Sequence, residues 1–350
     1  MRLRPLTLLL PVALLIAAAP AAPALAAPVA PAASDPAVVD VTPTTSKLSA
    51  KKRHTRFFAA SFQAEAGEVR FVGTELVVKD AKNTAPDTLF LGVTLSCTSP
   101  SGRVTSAEAG RNVWPAGSDF VIPVSFTFQT DVAGRHTCAA EVMMCVPGNC
   151  NAPTGVGVVS IVTQKMNPRS FSILYVSTAL PSWARSVRVP DGGDQLIKPR
   201  TAFKGSGTFD VSQTSGPVRV GGIISVTNCI EKSFPTACKG AASTAIRGSA
   251  RVTASLRLTQ VATTPGTVCA TADATRATGA GLTTITWQQH HAILNIYVRD
   301  FELSTDPGCS TSIRTDLTIQ AGKGNAIVVE PGSKAKISSI LYAIPGDVIP

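Results

Sequence analysis

Apolar and polar residues alternate with period two over much of this chain. From residue 56 to about 165 no window keeps the three-to-four-residue spacing of an amphipathic helix. The clearest alternation lies in residues 119–150. Phe120, Ile122, Val124, Phe126 and Phe128 share one face of an extended segment, while Ser125, Thr127 and Gln129 take the other. After turn residues at 131–134, an inward row of His136, Cys138, Ala140, Val142 and Met144 alternates with Arg135, Thr137 and Glu141. The pattern predicts a β-hairpin that delivers a buried cysteine.

The same reading predicts short strands at 56–62, 69–78, 88–97, 112–114, 120–129, 136–145 and 157–162, separated by turn-forming residues. Segments of this length and spacing suggest a β-sandwich over residues 56–165. Residues 166–199, with Pro168, Pro181, Pro190 and Gly192-Gly193, read as a connector with short strands at 170–176 and 186–189. A second all-β domain is expected over 200–350, with strands at 201–211, 218–228, 250–261, 267–274, 282–287, 292–303, 312–320, 326–329 and 335–344. The expected fold class is all-β: two disulfide-stabilised, β-sandwich-like domains.

The N-terminus changes the cellular picture. Arg2 and Arg4 precede an apolar run from Leu6 to Ala19, and Ala24-Leu25-Ala26 gives the small-x-small pattern of a cleavage site. Residues 1–26 therefore read as a secretory signal peptide, too short and Pro-interrupted for a membrane span. Residues 27–55, rich in Ala, Pro and Thr, lack the large apolar side chains of a core and read as a disordered spacer. The spacer ends in a basic cluster at 51–56. No transmembrane span is expected after cleavage.

All eight cysteines lie beyond the signal and none forms a CxxC pair, so disulfides in an oxidising compartment are expected and zinc is not. Cys97 falls on the apolar row of Leu89, Leu91, Val93 and Leu95, as Cys138 does on its own strand. Two inward cysteines on separate strands predict an inter-sheet bridge, Cys97–Cys138. Cys145 has the opposite parity and is expected to close a small loop with Cys150. In the second half, Cys269 alternates with Thr271 and Asp273, which favours Cys229–Cys238 and Cys269–Cys309. Pairing Cys229–Cys269 with Cys238–Cys309 stays open as the alternative.

The run 131–138, DVAGRHTC, resembles the end of an immunoglobulin-type domain, where an Asp and a small residue precede Tyr-x-Cys and the Tyr ties down the corner. Here His136 takes the Tyr place, Asp131 stands one residue early, and Trp114 lies further past the first cysteine than the family's core Trp. The resemblance covers residues 56–165 and implies a sandwich fold. The family hosts binding, adhesion and structural roles alike.

Chemistry adds little. The chain lacks GxSxG, HExxH, P-loop and GxGxxG signatures, and with every cysteine pairable there is no evident thiol nucleophile. His290-His291 is the only histidine pair, and neighbouring strand residues point to opposite faces. Asp300, Glu302 and Asp306 read as a solvated edge. The formal charge is +10, about +8 once Arg2 and Arg4 are removed. Arg219, Arg251 and Arg257 are expected to face outward and, with Trp287, His290 and His291, make up the candidate ligand contacts. Aromatic residues are only 5 % of the chain, which disfavours a sugar-stacking platform, although Trp183, Trp287 and Tyr297 are present.

The expected protein is secreted and non-enzymatic, a surface or extracellular binding or structural module that partners an anionic cell-wall or extracellular polymer or another secreted protein. Nucleic acid, cofactor and metal are not expected. The alternatives are a secreted hydrolase with its site in the C-terminal domain, and a protease inhibitor using the loop at 145–150.

Overall fold

A computed structural model describes residues 47–49, 54–82, 89–113, 118–145, 158–161, 173–211, 216–230, 238, 248–276, 283–286, 290–332, 337–346 and 348. Among them there is no α-helix, and the fold is all-β.

In chain order the first strands are β1 (Lys47–Ser49), β2 (His54–Ala64), β3 (Val69–Lys82), β4 (Leu89–Thr98), β5 (Val104–Val113), β6 (Ser118–Gln129), β7 (Gly134–Cys145), β8 (Val158–Ile161) and β9 (Ile173–Val176). Next come β10 (Arg185–Arg188), β11 (Gln195–Ile197), β12 (Ala202–Asp210), β13 (Val218–Asn228), β14 (Ala250–Ala262) and β15 (Thr271–Arg276). The last are β16 (Thr283–Ile285), β17 (His291–Phe301), β18 (Cys309–Gly324), β19 (Ile327–Glu330) and β20 (Ile340–Pro345).

They build four sheets. Sheet I has the order β2-β7-β4-β5, and sheet II the order β1-β8-β3-β6 with β9 also on β3. Sheet III runs β10-β20-β13-β19-β11 with β17 on the other side of β13, and sheet IV runs β12-β18-β14-β15 with β16 on β14. Sheets I and II close over a core of Phe57, Leu91, Leu95, Ile122, Phe126 and their neighbours. Each such fully buried large side chain contributes roughly 1.5–3 kcal/mol of apolar transfer. A second core, built on Val220, Ile224, Leu256, Leu258, Leu317 and Ile319, also takes in Phe71 and Tyr175 of sheet II. The Phe71 ring lies 5.4 Å from that of Tyr342 on β20, so the two halves of the chain are packed together.

Three features correct the sequence reading. The predicted hairpin is not one: β6 pairs with β3 in sheet II, while β7 pairs with β2 and β4 in sheet I. The apolar rows of β6 and β7 face each other across the core instead of lying side by side. Alternation fixes which face a residue takes, but not which strand it neighbours.

Cys97–Cys138 is bonded and buried, yet the bridge is not inter-sheet. The two cysteines are opposite partners on β4 and β7 of one sheet, with Cα atoms 4.0 Å apart. The third correction is β5, a ten-residue strand of which only the last two residues were anticipated. Its small residues, Ser106, Ala107, Ala109 and Gly110, gave no strand signal.

Cys229–Cys238 and Cys269–Cys309 are also bonded, so three disulfides stand among the described residues. The expected Cys145–Cys150 bridge, its loop, the signal segment and most of the spacer lie outside them. No helix among the described residues is long and apolar enough to cross a membrane. The disulfides fit an oxidising, extracellular-type compartment.

Candidate functional site

The residues proposed for ligand contact do not come together. Arg251 and Arg257 are exposed on β14 in sheet IV, some 20 Å apart at the rise of an extended strand. Charge on that face alternates: Arg257 stands in register with Asp316 on one side and Asp273 on the other, and Arg314 pairs with Asp316 at 3.0 Å. The face is polar and charge-balanced, not a basic stripe. Asp300, Glu302 and Asp306 are exposed. Trp287 lies outside the described residues.

Arg219 is buried, at 5 % exposure, contrary to expectation. The reason is that β13 is covered on both faces. Val218, Val220, Ile224 and Val226 enter the second core. The alternate residues Arg219, Gly221, Ile223, Ser225 and Thr227 take the opposite face of the strand. Arg219 holds its guanidinium 4.4 Å from the Tyr297 ring centre. It also hydrogen-bonds Tyr342 and, by its charge, counters the burial that pushes the Glu75 carboxyl up.

The histidine pair leads to a different site. His290 is buried and His291 opens β17, their rings 4.4 Å apart. His291 lines a cleft of about 140 Å³ between sheets I and III. On the sheet I side, Gly92 and Gly110 are opposite partners. A β-carbon on Gly110 would overlap the Phe90 ring, so the absence of side chains lets that ring lie over the sheet. Phe90 then meets His291 edge-on at 5.3 Å. Glu108 and Thr94 also line this wall.

On the sheet III side, β13 runs between β17 and β19, so Thr227 stands opposite His291 and near Glu330. The fully buried Thr227 hydroxyl is 2.6 Å from His291 Nδ1 and donates to Glu330 Oε1. His291 Nδ1 and Glu330 Oε1 are themselves 3.7 Å apart. The His291 backbone N–H donates to Asn112 Oδ1 at 2.9 Å, fixing β17 to the buried end of β5. Ser225 donates to the Ser338 carbonyl at 2.9 Å and closes the far end.

Burial sets the electrostatics. It raises the Glu330 carboxyl to about 7, with Asp194 and Glu108 adding to the rise and the Thr227 hydrogen bond opposing it. Burial, with the neighbouring His290, holds the His291 imidazole well below its ordinary value, so the ring is neutral near pH 7. No group of three or more metal-ligating side chains occurs among the described residues. The cleft is a small recess of mixed lining, with apolar Phe90, Val93, Ala109 and Met143 beside the acceptors and hydroxyls of Thr94, Glu108, Ser225, His291 and Glu330.

Sequence reasoning flagged His291 but missed Thr227, Glu330, Glu108 and Asn112. Nothing in their spacing links residues 108, 227, 291 and 330. Only strand register does.

What fold and site define is a class: a disulfide-stabilised protein of packed β-sheets. No family model and no curated protein matches the chain. Among solved structures, the tandem CBM22-1–CBM22-2 domain of Paenibacillus barcinonensis Xyn10C is similar at 9 % identity, over 80 % of this chain and 85 % of that one, with a TM-score of 0.20. A structure of the infectious bursal disease virus Gt strain is similar at 12 % identity, over 85 % and 75 %, with a TM-score of 0.24. At those scores neither likeness carries an argument about function.

Proposed function

We propose that the chain is an exported, non-enzymatic binding protein that holds one small hydroxyl- or amine-bearing group, such as the end of a glycan, in the cleft between sheets I and III. The observation that carries this reading is the cleft itself, where hydrogen-bonding side chains of Thr94, Glu108, Ser225, His291 and Glu330 converge beside the Phe90 ring. Its volume suits a single ring, whereas pockets for drug-sized ligands run from about 300 Å³ upward. Two carboxyl groups disfavour an anionic ligand there. Attraction to an anionic cell-wall or extracellular polymer would rest on the face carrying Arg251 and Arg257, where Asp273 and Asp316 offset the charge, so that face contributes little to retention.

The test is retention on purified cell wall and on a panel of polysaccharides at low and high salt. Wild type is expected to be retained at both. Thr94→Trp, which fills the cleft, should cut retention at least tenfold, while Arg251→Glu with Arg257→Glu should leave it unchanged. The opposite result moves the site to sheet IV, and no retention anywhere removes the binding reading.

One observation favours a hydrolase as the second reading. A carboxyl titrating near 7 with another acidic residue in the same cleft has the acid–base character of a hydrolytic site. Turnover on any panel substrate, abolished in Glu330→Gln, would establish it.

A further inference from the structure

We propose that Glu330, Thr227 and His291 form a tautomer switch: the protonation state of Glu330 sets which ring nitrogen of His291 carries the proton, and so whether the cleft offers that ring as an acceptor or a donor.

The argument is one of hydrogen count. Thr227 has a single hydroxyl proton and sits between His291 Nδ1 at 2.6 Å and the Glu330 carboxyl, fully buried and without room for water to intervene. When Glu330 is ionised it must accept, so Thr227 donates to it. The Thr227 oxygen then accepts from His291 Nδ1–H, leaving Nε2 a bare acceptor. When Glu330 is protonated, its O–H donates to Thr227, whose own proton turns to Nδ1. The ring proton then resides on Nε2, which becomes a donor. Each state satisfies every member of the chain, and no heavy atom needs to move.

Two facts make this a tautomer change instead of a charge change. The imidazole is held neutral by burial and by His290, while the carboxyl titrates at about 7. The charged and titratable groups facing the carboxyl are Glu108 from β5, Asp194 ahead of β11 and the histidine pair at the head of β17. Both acids favour the protonated carboxyl. Glu330 and His291 keep 26 % and 19 % of their side-chain surface accessible, and both line the cleft, so the switch is read out where a ligand would sit.

For ligand choice, the consequence rests on the cleft being a binding site. Above pH 7 it presents acceptors and fits a donor such as an ammonium or hydroxyl group. Below pH 7 the ring presents a donor and fits a neutral carbonyl or hydroxyl oxygen. The tautomer itself does not depend on that reading.

The test is ¹⁵N NMR of histidine-labelled full-length protein without ligand, from pH 5.5 to 8.5, with the His291 signals assigned by loss in His291→Phe. In wild type the pyrrole-type and pyridine-type nitrogen shifts are expected to exchange between Nδ1 and Nε2, with a midpoint near 7. In Thr227→Val and Glu330→Gln the exchange should vanish. An unchanged tautomer across the range in wild type overturns the proposal, as does the same exchange in either variant. Should Thr227→Val fail to fold, Glu330→Gln decides alone. A working switch with no retained polysaccharide would leave the tautomer chemistry standing and remove only the binding reading.

Discussion

Tyr175 stands opposite Gly73 in the register of β9 and β3, and its hydroxyl and ring edge fill the space a β-carbon on that glycine would take. Sheet III repeats the device: Tyr342 is the partner of Gly221, whose β-carbon would come within 2.6 Å of the Tyr342 hydroxyl and 2.8 Å of the Tyr297 β-carbon. Phe71 contacts both tyrosine rings, at 5.9 and 5.4 Å, so the paired tyrosines join sheets II and III. Both are at least nine-tenths buried, so neither ring can swing aside into solvent. Gly73→Ala and Gly221→Ala should each lower stability by about 1–3 kcal/mol, as overpacking does. Gly193→Ala, which meets nothing within 4 Å, should change it by less than about 0.5 kcal/mol. Urea midpoints of the three variants check this.

This junction explains how far the sequence could be read. Most strand positions, β5 excepted, the buried state of Cys97 and Cys138, and the all-β class were legible because period-two alternation reports which face is covered. Where a strand is covered on both faces, the same rule misleads. Arg219 alternates with Val218 and Val220 and so looked solvent-facing, yet its side of β13 is buried as well. The cleft was illegible for another reason. Thr227, His291 and Glu330 meet through the pairing of β13 with β17 and β19, and alternation carries no information on which strands pair.

Arg219 gives a second prediction. Its charge is buried beside Glu75, whose carboxyl is raised by burial and drawn down by that guanidinium. Removing the guanidinium deprives the half-buried Glu75 carboxyl of its countercharge and the Tyr297 ring of its cation, a loss of about 1–3 kcal/mol. Arg219→Met should therefore destabilise the fold. Glu75→Gln added to it should recover part of the loss, and a thermal double-mutant cycle measures the coupling. An additive result would show that the two side chains do not interact.

The disulfides should differ in both weight and access. Cys97–Cys138 closes 41 residues and Cys229–Cys238 only 9, so in the chain-entropy model they contribute about 4 and about 2.6 kcal/mol respectively. Cys97, Cys138, Cys229 and Cys238 are buried, whereas Cys269 and Cys309 keep some accessible surface beside the 90 % exposed Val268. Of these three bridges, Cys269–Cys309 should be reduced first. Timed alkylation under mild dithiothreitol, read by peptide mass spectrometry, gives the order.

Stability against pH should carry opposing signatures of Glu330 and His291. The Glu330 carboxyl titrates at about 7 when folded and at its ordinary 4.5 when unfolded, so the folded state binds more protons between those values. Its contribution is fully present below 4.5 and is lost as pH rises through 7, a change on the order of 3 kcal/mol. His291 is depressed from 6.5, so the unfolded state binds the proton first and stability falls as pH drops below 6.5. The two slopes oppose each other below 6.5, and only the Glu330 slope remains above it. Glu330→Gln removes one slope and leaves the other. The variant should therefore gain stability relative to wild type as pH rises from 4.5 to 7, and should lose stability on acidification below 6.5 more steeply than wild type does. Guanidinium titrations at half-unit pH steps resolve the two curves. Parallel curves would mean that Glu330 titrates as an ordinary carboxyl and that burial in the cleft does not govern it.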